Sequence, residues 1–364
     1  MDATDPALLA LVDRVARARR DGAFLCLRGG GTKDFYGEVP RGEILDTRVL
    51  HGTPSYEPTE LVVTTRCGTL LAELEALLAT QGQCLPFEPP HFAAGATVGG
   101  MVAAGLSGPA RANAGSVRDH LLGATVLSGK AEVLSFGGQV IKNVAGYDVG
   151  RLMAGAMGTL GMLLEVSLKV LPLPRASATL RFAFDQATAL TRLATWGGMP
   201  LPLDASAWWD GSLIVRLRGA EAAVKSAALR LGGERIDERP ADLFWKGLRN
   251  HADEFFQHAH GAVRDGAMLW RLGMPQTAPA LELDGETLVE WHGAQRWLVS
   301  TLPAAQVRTA ATAVGGHATL FRAASKEAGV FTPLAAPLDR IHRQLKQSFD
   351  PAGIFNPGRL YPGL

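Results

Sequence analysis

Apolar positions recur at helical spacing from the start of the chain. Leu8, Leu9, Val12, Val15 and Ala16 form one stripe; Thr4 or Asp5 stands where a cap belongs, Pro6 suits the first turn and Gly22 ends it. A leading helix is predicted. Residues 23–27 are then a short apolar run suited to a buried strand, and it feeds directly into Arg28-Gly29-Gly30-Gly31-Thr32-Lys33. A second strand and helix are predicted at 60–65 and 69–81, the helix apolar at Leu70, Leu71, Leu74, Leu77 and Leu78. Residues 163–170 alternate, with Glu165, Ser167 and Lys169 on the polar face, and Pro172 and Pro174 break the chain behind them. A boundary is expected there, closing a first domain of residues 1–174.

Beyond it the pattern predicts a strand at 178–184, a helix at 186–196, a hairpin of 206–209 and 213–217 turned at Asp210-Gly211, a helix at 221–231 and a short strand near Arg235. That order is βαββαβ. After a helix at 243–258 a weaker copy follows, with strands at 268–272, 288–291 and 296–300, a helix at 304–314 and a strand at 318–322. Two ferredoxin-like halves predict one antiparallel sheet with helices on one face across 175–325. A helix at 338–349 and a turn-rich end complete the chain, and residues 326–364 are expected to return to the first domain. The fold class is α+β. All seven tryptophans lie beyond residue 174, and all four tyrosines lie outside the tryptophan-rich stretch, so the two regions build different cores.

Composition narrows the function. At 364 residues, 47% hydrophobic and 20% charged, the chain can bury about two domains' worth of core. Thirty-six basic and 35 acidic residues leave a net charge of +1, which argues against a nucleic-acid reader or a binder of anionic membrane surfaces. Cys26, Cys67 and Cys84 contain no Cys-x-x-Cys pair, so they offer no zinc or iron–sulfur cradle and fit a reducing compartment. The acidic start, Asp2 and Asp5, is unlike a signal peptide, and a cytoplasmic location is expected. Residues 91–110 carry no formal charge, but five glycines, Pro109 and a single leucine, Leu106, make them a packed, backbone-rich segment rather than a membrane span.

Arg28 to Lys33 after a buried strand is a natural anion nest, because consecutive glycines let several N–H groups point at one phosphate while Thr32 and Lys33 add donors; a plain glycine turn is the alternative. A Rossmann fingerprint would need glycine where Asp34 stands and a helix next. Gly123 to Ala131 resembles a Walker A loop only superficially: its glycines are spaced one residue too far apart, and Ala131 replaces the magnesium-binding hydroxyl, so a hairpin is expected. Fifteen of the 42 glycines fall between Gly95 and Gly161. They belong to a series of small-residue segments, Ala96-Thr97-Val98-Gly99-Gly100-Met101, Ser107-Gly108-Pro109, Gly115-Ser116-Val117-Arg118-Asp119 and Asn143 to Asp148, suited to a long, flat, neutral ligand held by backbone contacts.

In their order, these segments, followed by Gly158-Thr159-Leu160-Gly161 and a strand with Glu165-Val166, resemble the PCMH-type FAD-binding domain of the vanillyl-alcohol oxidase family. The tail Phe349-Asp350-Pro351, with Gly353-Ile354-Phe355-Asn356-Pro357-Gly358-Arg359, resembles the end of its D-2-hydroxyacid dehydrogenase branch. Length and order are most similar to FAD-binding subunits of glycolate-oxidising complexes, over essentially the whole chain. The resemblance implies a two-part FAD-binding domain with a ferredoxin-like cap. It places FAD pyrophosphate on Gly29, Gly30, Gly31 and Thr32, flanked by Arg28 and Lys33. Thr97, Val98, Gly99, Gly100, Ser107 and Gly108 would lie along the cofactor, Gly146, Tyr147 and Asp148 near the flavin end, Glu165 and Val166 on the adenine side, and Asn356 in the returning tail. The glycine loop lacks the histidine that tethers FAD covalently in some relatives, so non-covalent FAD is expected. The implied partners are a larger FAD-containing subunit and an iron–sulfur subunit, with any membrane association peripheral and through them.

Oxidising a 2-hydroxy acid takes a base for the hydroxyl proton and a cation for the carboxylate. The His-x-Gly-Asp-Gly-Asn segment that supplies these groups in single-chain relatives is missing. Its nearest analogue is Gly315 to Arg322, where His317 is the candidate base and Arg322 the carboxylate holder; capping a turn and pairing with Glu327 are their structural alternatives. His251, His258 and His260 lack an acid at ligand spacing, so no metal site is expected. Three functions stay open: a glycolate-oxidising flavin subunit, a self-sufficient 2-hydroxyacid dehydrogenase, and a non-catalytic FAD-containing scaffold.

Overall fold

The computed structural model describes residues 4–138 and 148–364. The leading helix spans Pro6–Asp21; the Asp5 carboxylate accepts from Ala7 N at 2.9 Å and Gly22 closes it at φ 65°. Leu8, Leu11, Val15 and Ala18 pack on Leu25, Leu45, Leu127, Met162 and Leu164 together with Ile354 and Phe355 from the tail. Each of the leucine, valine, isoleucine, methionine and phenylalanine side chains among them contributes about 1.5–3 kcal/mol by leaving water. Strand Leu25–Arg28 pairs in parallel with Glu43–Asp46, and Leu25 also bridges Phe355.

A five-stranded antiparallel sheet follows, in the spatial order Ser55–Glu57, Val62–Arg66, Met162–Lys169, Leu121–Leu127, Val133–Gly137. Helices Leu71–Ala79 and Val98–Ala104 bury Leu71, Leu74, Leu78, Met101 and Val102 against its Val63, Val126, Val166 and Leu168. The Walker-like segment is a hairpin, with Leu121–Leu127 paired to Val133–Gly137 and Ala131 at φ 63° in the connection.

The second sheet has eight strands in the order Glu234–Ile236, Ala176–Ala183, Ser212–Gly219, Leu203–Trp209, Glu286–Glu290, Gln295–Ser300, Met268–Gly273, His317–Arg322. Each half has ferredoxin-like strand order, and the halves meet where Ala207 faces Glu290 and Trp208 faces Val289. Asp210 and Gly211 turn the first hairpin at φ 45° and 72°, the left-handed pair that a two-residue hairpin favours. The second half lacks a helix between its first two strands.

Two expectations change. Helices cover both faces of this sheet. Gln186–Gly197, Glu221–Leu231 and Ala304–Ala313 pack on Leu180, Val215, Trp270 and Leu320, whereas Glu238–Asn250 and Glu254–Arg264 pack on Leu269, Leu288, Trp297 and Phe321. Neighbours such as Leu269–Trp270 and Leu320–Phe321 are apolar on both sides of the pleat, so both faces must leave water. The single helix expected at 243–258 is two, because His251 turns left-handed at φ 55° and Asp253 caps a new helix by accepting from Phe256 N at 3.0 Å.

The face carrying these last two helices also meets the first sheet's region, through Tyr36, Phe92, Leu106 and Met157. Glu88 receives Arg216 at 2.8 Å and Arg218 at 2.7 Å across this junction, Asp204 also pairs with Arg216, and Trp291 Nε1 donates to Gly108 O at 2.9 Å.

Candidate functional site

The loop after strand Leu25–Arg28 is pressed against residues 95–97. A Cβ on Gly29 would run into the Thr97 hydroxyl, and one on Gly30 would fall within bonding distance of the Gly95 carbonyl oxygen. Only glycine fits at position 30. Thr97 Oγ1 in turn accepts from Gly100 N at 3.2 Å and starts the helix Val98–Ala104. From the other side, Asn356 Oδ1 accepts from Leu27 N at 2.8 Å while its Nδ2 donates to Met157 O at 2.6 Å.

These contacts leave a groove lined by Arg28, Gly29, Gly30, Gly31, Thr32, Lys33, Thr97, Gly100, Met157, Asn356 and Arg359. It continues past Thr47, Gly99, Gly158, Gly161, Met162 and Leu163. The predicted nest, the Thr97 to Gly100 turn and the tail asparagine are therefore brought together. Arg28 lies on its rim, paired with Asp34 at 2.6 Å. Burial, with the charge of Arg249 adding to it, lowers Lys33 to about 8, and its ammonium sits 5.5 Å from the Phe92 ring centroid. Asn356 has both amide ends occupied, so it positions the groove floor.

Other predicted residues lie elsewhere. Val98 is fully buried in the core, and its N–H goes to Thr69 O. Glu165 and Val166 sit in a central strand, paired with Arg66 and Thr65 on one side and with Thr125 and Ala124 on the other. The groove is reached instead by Gly161 to Leu163, where that strand begins. Ser107 and Gly108 lie near the junction with the second sheet, and Ser107 Oγ is a buried hydroxyl without a partner among the described residues. Asp148 pairs with Arg151 at 2.7 Å, away from the groove lining; Gly146 and Tyr147 lie outside the described residues.

His317 and Arg322 do not share a site. They end one six-residue strand, which separates them by about 16 Å. His317 faces Gly273 in the neighbouring strand; burial, reinforced by the charge of Arg271, lowers its pKa. Arg322 instead lies over Phe35, its guanidinium 3.4 Å from the ring centroid, on a cleft of about 440 Å³ that it shares with His260, Val263, Arg264, Ala323 and Lys326. Burial lowers Arg322 to about 10, and its Nε and His260 Nε2 are buried without partners among the described residues. Unpaired groups of this kind cost about 1–3 kcal/mol each. Arg322 makes no ion pair with Glu327 among the described residues.

A second polar cluster escaped the sequence reading. Glu290 is 3% exposed and accepts from Trp297 Nε1 at 2.6 Å and Gln295 Nε2 at 2.9 Å, while Arg271 donates to Gln295 Oε1 at 2.6 Å. Part of the signal was available, since Arg271 is the lone charge in the otherwise apolar strand Met268–Gly273. Burial outweighs the two hydrogen bonds and raises Glu290 to about 7 from an ordinary 4.5. An acid raised on folding contributes stability that is full below 4.5 and is lost as pH rises through 7. Glu290→Gln is therefore expected to flatten part of the fall in melting temperature between pH 5 and 8; an unchanged slope would show that Glu290 is not the titrating group.

The residues present fit FAD. The groove offers a glycine nest for phosphates and hydroxyls at Thr32, Thr47 and Thr97. An FAD binding domain family matches residues 9–137. Glycolate oxidase subunit GlcE of Escherichia coli (strain K12) is 46% identical over 355 residues, spanning 98% of this chain and 97% of that protein. The chain belongs to the GlcE family. D-lactate dehydrogenase of Anaerostipes hadrus is 34% identical over 130 residues, which is 36% of this chain and 27% of that enzyme. Among solved structures, alkyldihydroxyacetonephosphate synthase matches with a TM-score of 0.66 at 15% identity, covering 95% of this chain and 74% of that one. The fold is thus the PCMH-type FAD-binding fold, and FAD is the cofactor. Among the described residues no helix is long and apolar enough to cross a membrane.

Proposed function

We propose that this chain is the FAD-carrying subunit of a glycolate-oxidising complex and converts glycolate to glyoxylate. The groove carries this reading: a nest that only glycine can form, joined to the Gly158 to Leu163 turn and floored by Asn356, in a chain of the GlcE family. Bound FAD supplies a hydride acceptor. Gly29 to Thr32 hold the pyrophosphate through backbone N–H groups, Ser107 donates toward the flavin end, and Arg322 holds the substrate carboxylate. Residues 1–174 and 326–364 build the cofactor site, and residues 175–325 bring Arg322 to it. FAD is held without a covalent bond.

Electrons leave through other subunits. Cys26 and Cys67 are buried, and burial raises both thiols; among the described residues no group of cysteines, histidines and acids could hold a metal. A larger flavin subunit and an iron–sulfur subunit complete the path, and they place the complex peripherally on the inner face of the cell membrane. Co-expression tests this. The chain is expected to co-purify with both subunits and to be required for glycolate-dependent dye reduction; purification alone, or full dye reduction without it, would contradict the subunit assignment.

A further inference from the structure

We propose that the cleft bounded by Phe35, His260, Arg264, Arg322 and Lys326 binds the carboxylate of a small 2-hydroxy acid, with His260 accepting its hydroxyl proton. This rests on the reading of the chain as a glycolate-oxidising flavoprotein. The cleft, about 440 Å³, is lined by three cationic side chains and a histidine and, among the described residues, by no carboxylate. Lys326 ties the cleft to the chain that follows the nest, because its ammonium donates to Phe35 O at 2.7 Å and to Gly37 O at 2.5 Å. Glu38 is the nearby acid, and it acts on Lys326 rather than lining the cleft. Phe35 holds the Arg322 guanidinium flat and Nε is shut in, so the two terminal amino groups are the ones left to grip a carboxylate. In the same way Nε2 of His260 is shut in and Nδ1 is the nitrogen left to the cleft.

The groups facing His260 are Arg264 on its own helix and Arg322 on the adjoining strand, with Lys326 across the cleft and His251 behind it. Burial and the two arginine charges keep the ring neutral near pH 7, the state that can take a proton. In the step itself the hydroxyl O–H breaks and its proton goes to Nδ1. With FAD bound, the α-C–H would break with its electron pair passing to the oxidised cofactor as the carbon–oxygen double bond forms, so that the acid would lose the two electrons that FAD would gain.

The test uses the full chain loaded with FAD, with oxalate as a redox-inert probe in calorimetry and anaerobic stopped-flow with glycolate. Arg322→Met is expected to weaken oxalate at least about tenfold and Arg264→Gln by less, with flavin content unchanged. His260→Gln should leave oxalate affinity within about threefold yet slow flavin reduction by about 100-fold or more, and remove the acid-side fall of its pH profile. Equal oxalate affinity in Arg322→Met overturns the anion site, and wild-type reduction by His260→Gln overturns the base. Arg322-dependent oxalate binding in a chain whose flavin glycolate never reduces would support the anion site, but would refute both oxidation by this chain and the base role.

Discussion

A Gly30→Ala chain is expected to purify without flavin. The added Cβ would fall within bonding distance of the Gly95 carbonyl oxygen, and both partners are backbone, so no side chain can swing aside. The nest must lift from residues 95–97, which separates its N–H groups from Thr97 and Gly100 on the facing wall. Overpacking of this kind costs about 1–3 kcal/mol even where side chains relax. Gly197→Ala is the matched control, since a Cβ there meets nothing within 4 Å. FAD released on denaturation gives the readout, and a normally loaded Gly30→Ala chain would remove the nest from the cofactor site.

The second large effect is expected at the tail. Lys346 is 8% exposed, and its ammonium donates to Thr159 O at 2.8 Å, Asp350 Oδ2 at 2.7 Å and Phe355 O at 2.8 Å. Asp350 also accepts from Ile354 N and Phe355 N, at 3.2 and 2.8 Å. This pair sets the path that delivers Ile354 and Phe355 to the first core and Asn356 to the groove floor. Lys346→Met leaves the Asp350 charge buried and unpaired, a change that costs about 3–5 kcal/mol. A lowered melting temperature and weakened FAD retention should appear together. Stability lost with FAD affinity unchanged would show that the tail does not hold the groove in shape.

Where structure is decided locally, the sequence was legible. Asp5-Pro6 and Gly22 bracket the first helix, Asp210-Gly211 turns its hairpin, and the apolar stripe from Leu338 onward marks the helix Leu338–Phe349. The glycine run after a buried strand was legible as a place where backbone comes close, as Gly30 does to the Gly95 carbonyl. His251 shows the limit. Nothing in its identity announces a left-handed residue, although Asp253 ahead of Glu254 was a cap in plain view.

The candidate site was legible only in part, because its cap-side half is assembled by packing between distant segments. Arg322 is legible as a cation, but His317, close to it in sequence, is not close in space, because the strand His317–Arg322 converts that proximity into distance. His260 reaches Arg322 because the helix Glu254–Arg264 lies on the face of the sheet that was expected to be bare. The motif around Val166 points to the cofactor, whereas its strand is paired on both sides.

The most direct test of the account is an anaerobic visible spectrum of the FAD-loaded chain, alone and then with glycolate. Loss of the oxidised flavin bands on adding glycolate is the predicted result. Bands that persist with glycolate, yet vanish with a chemical reductant, would contradict the claim that this chain oxidises the acid at its own flavin.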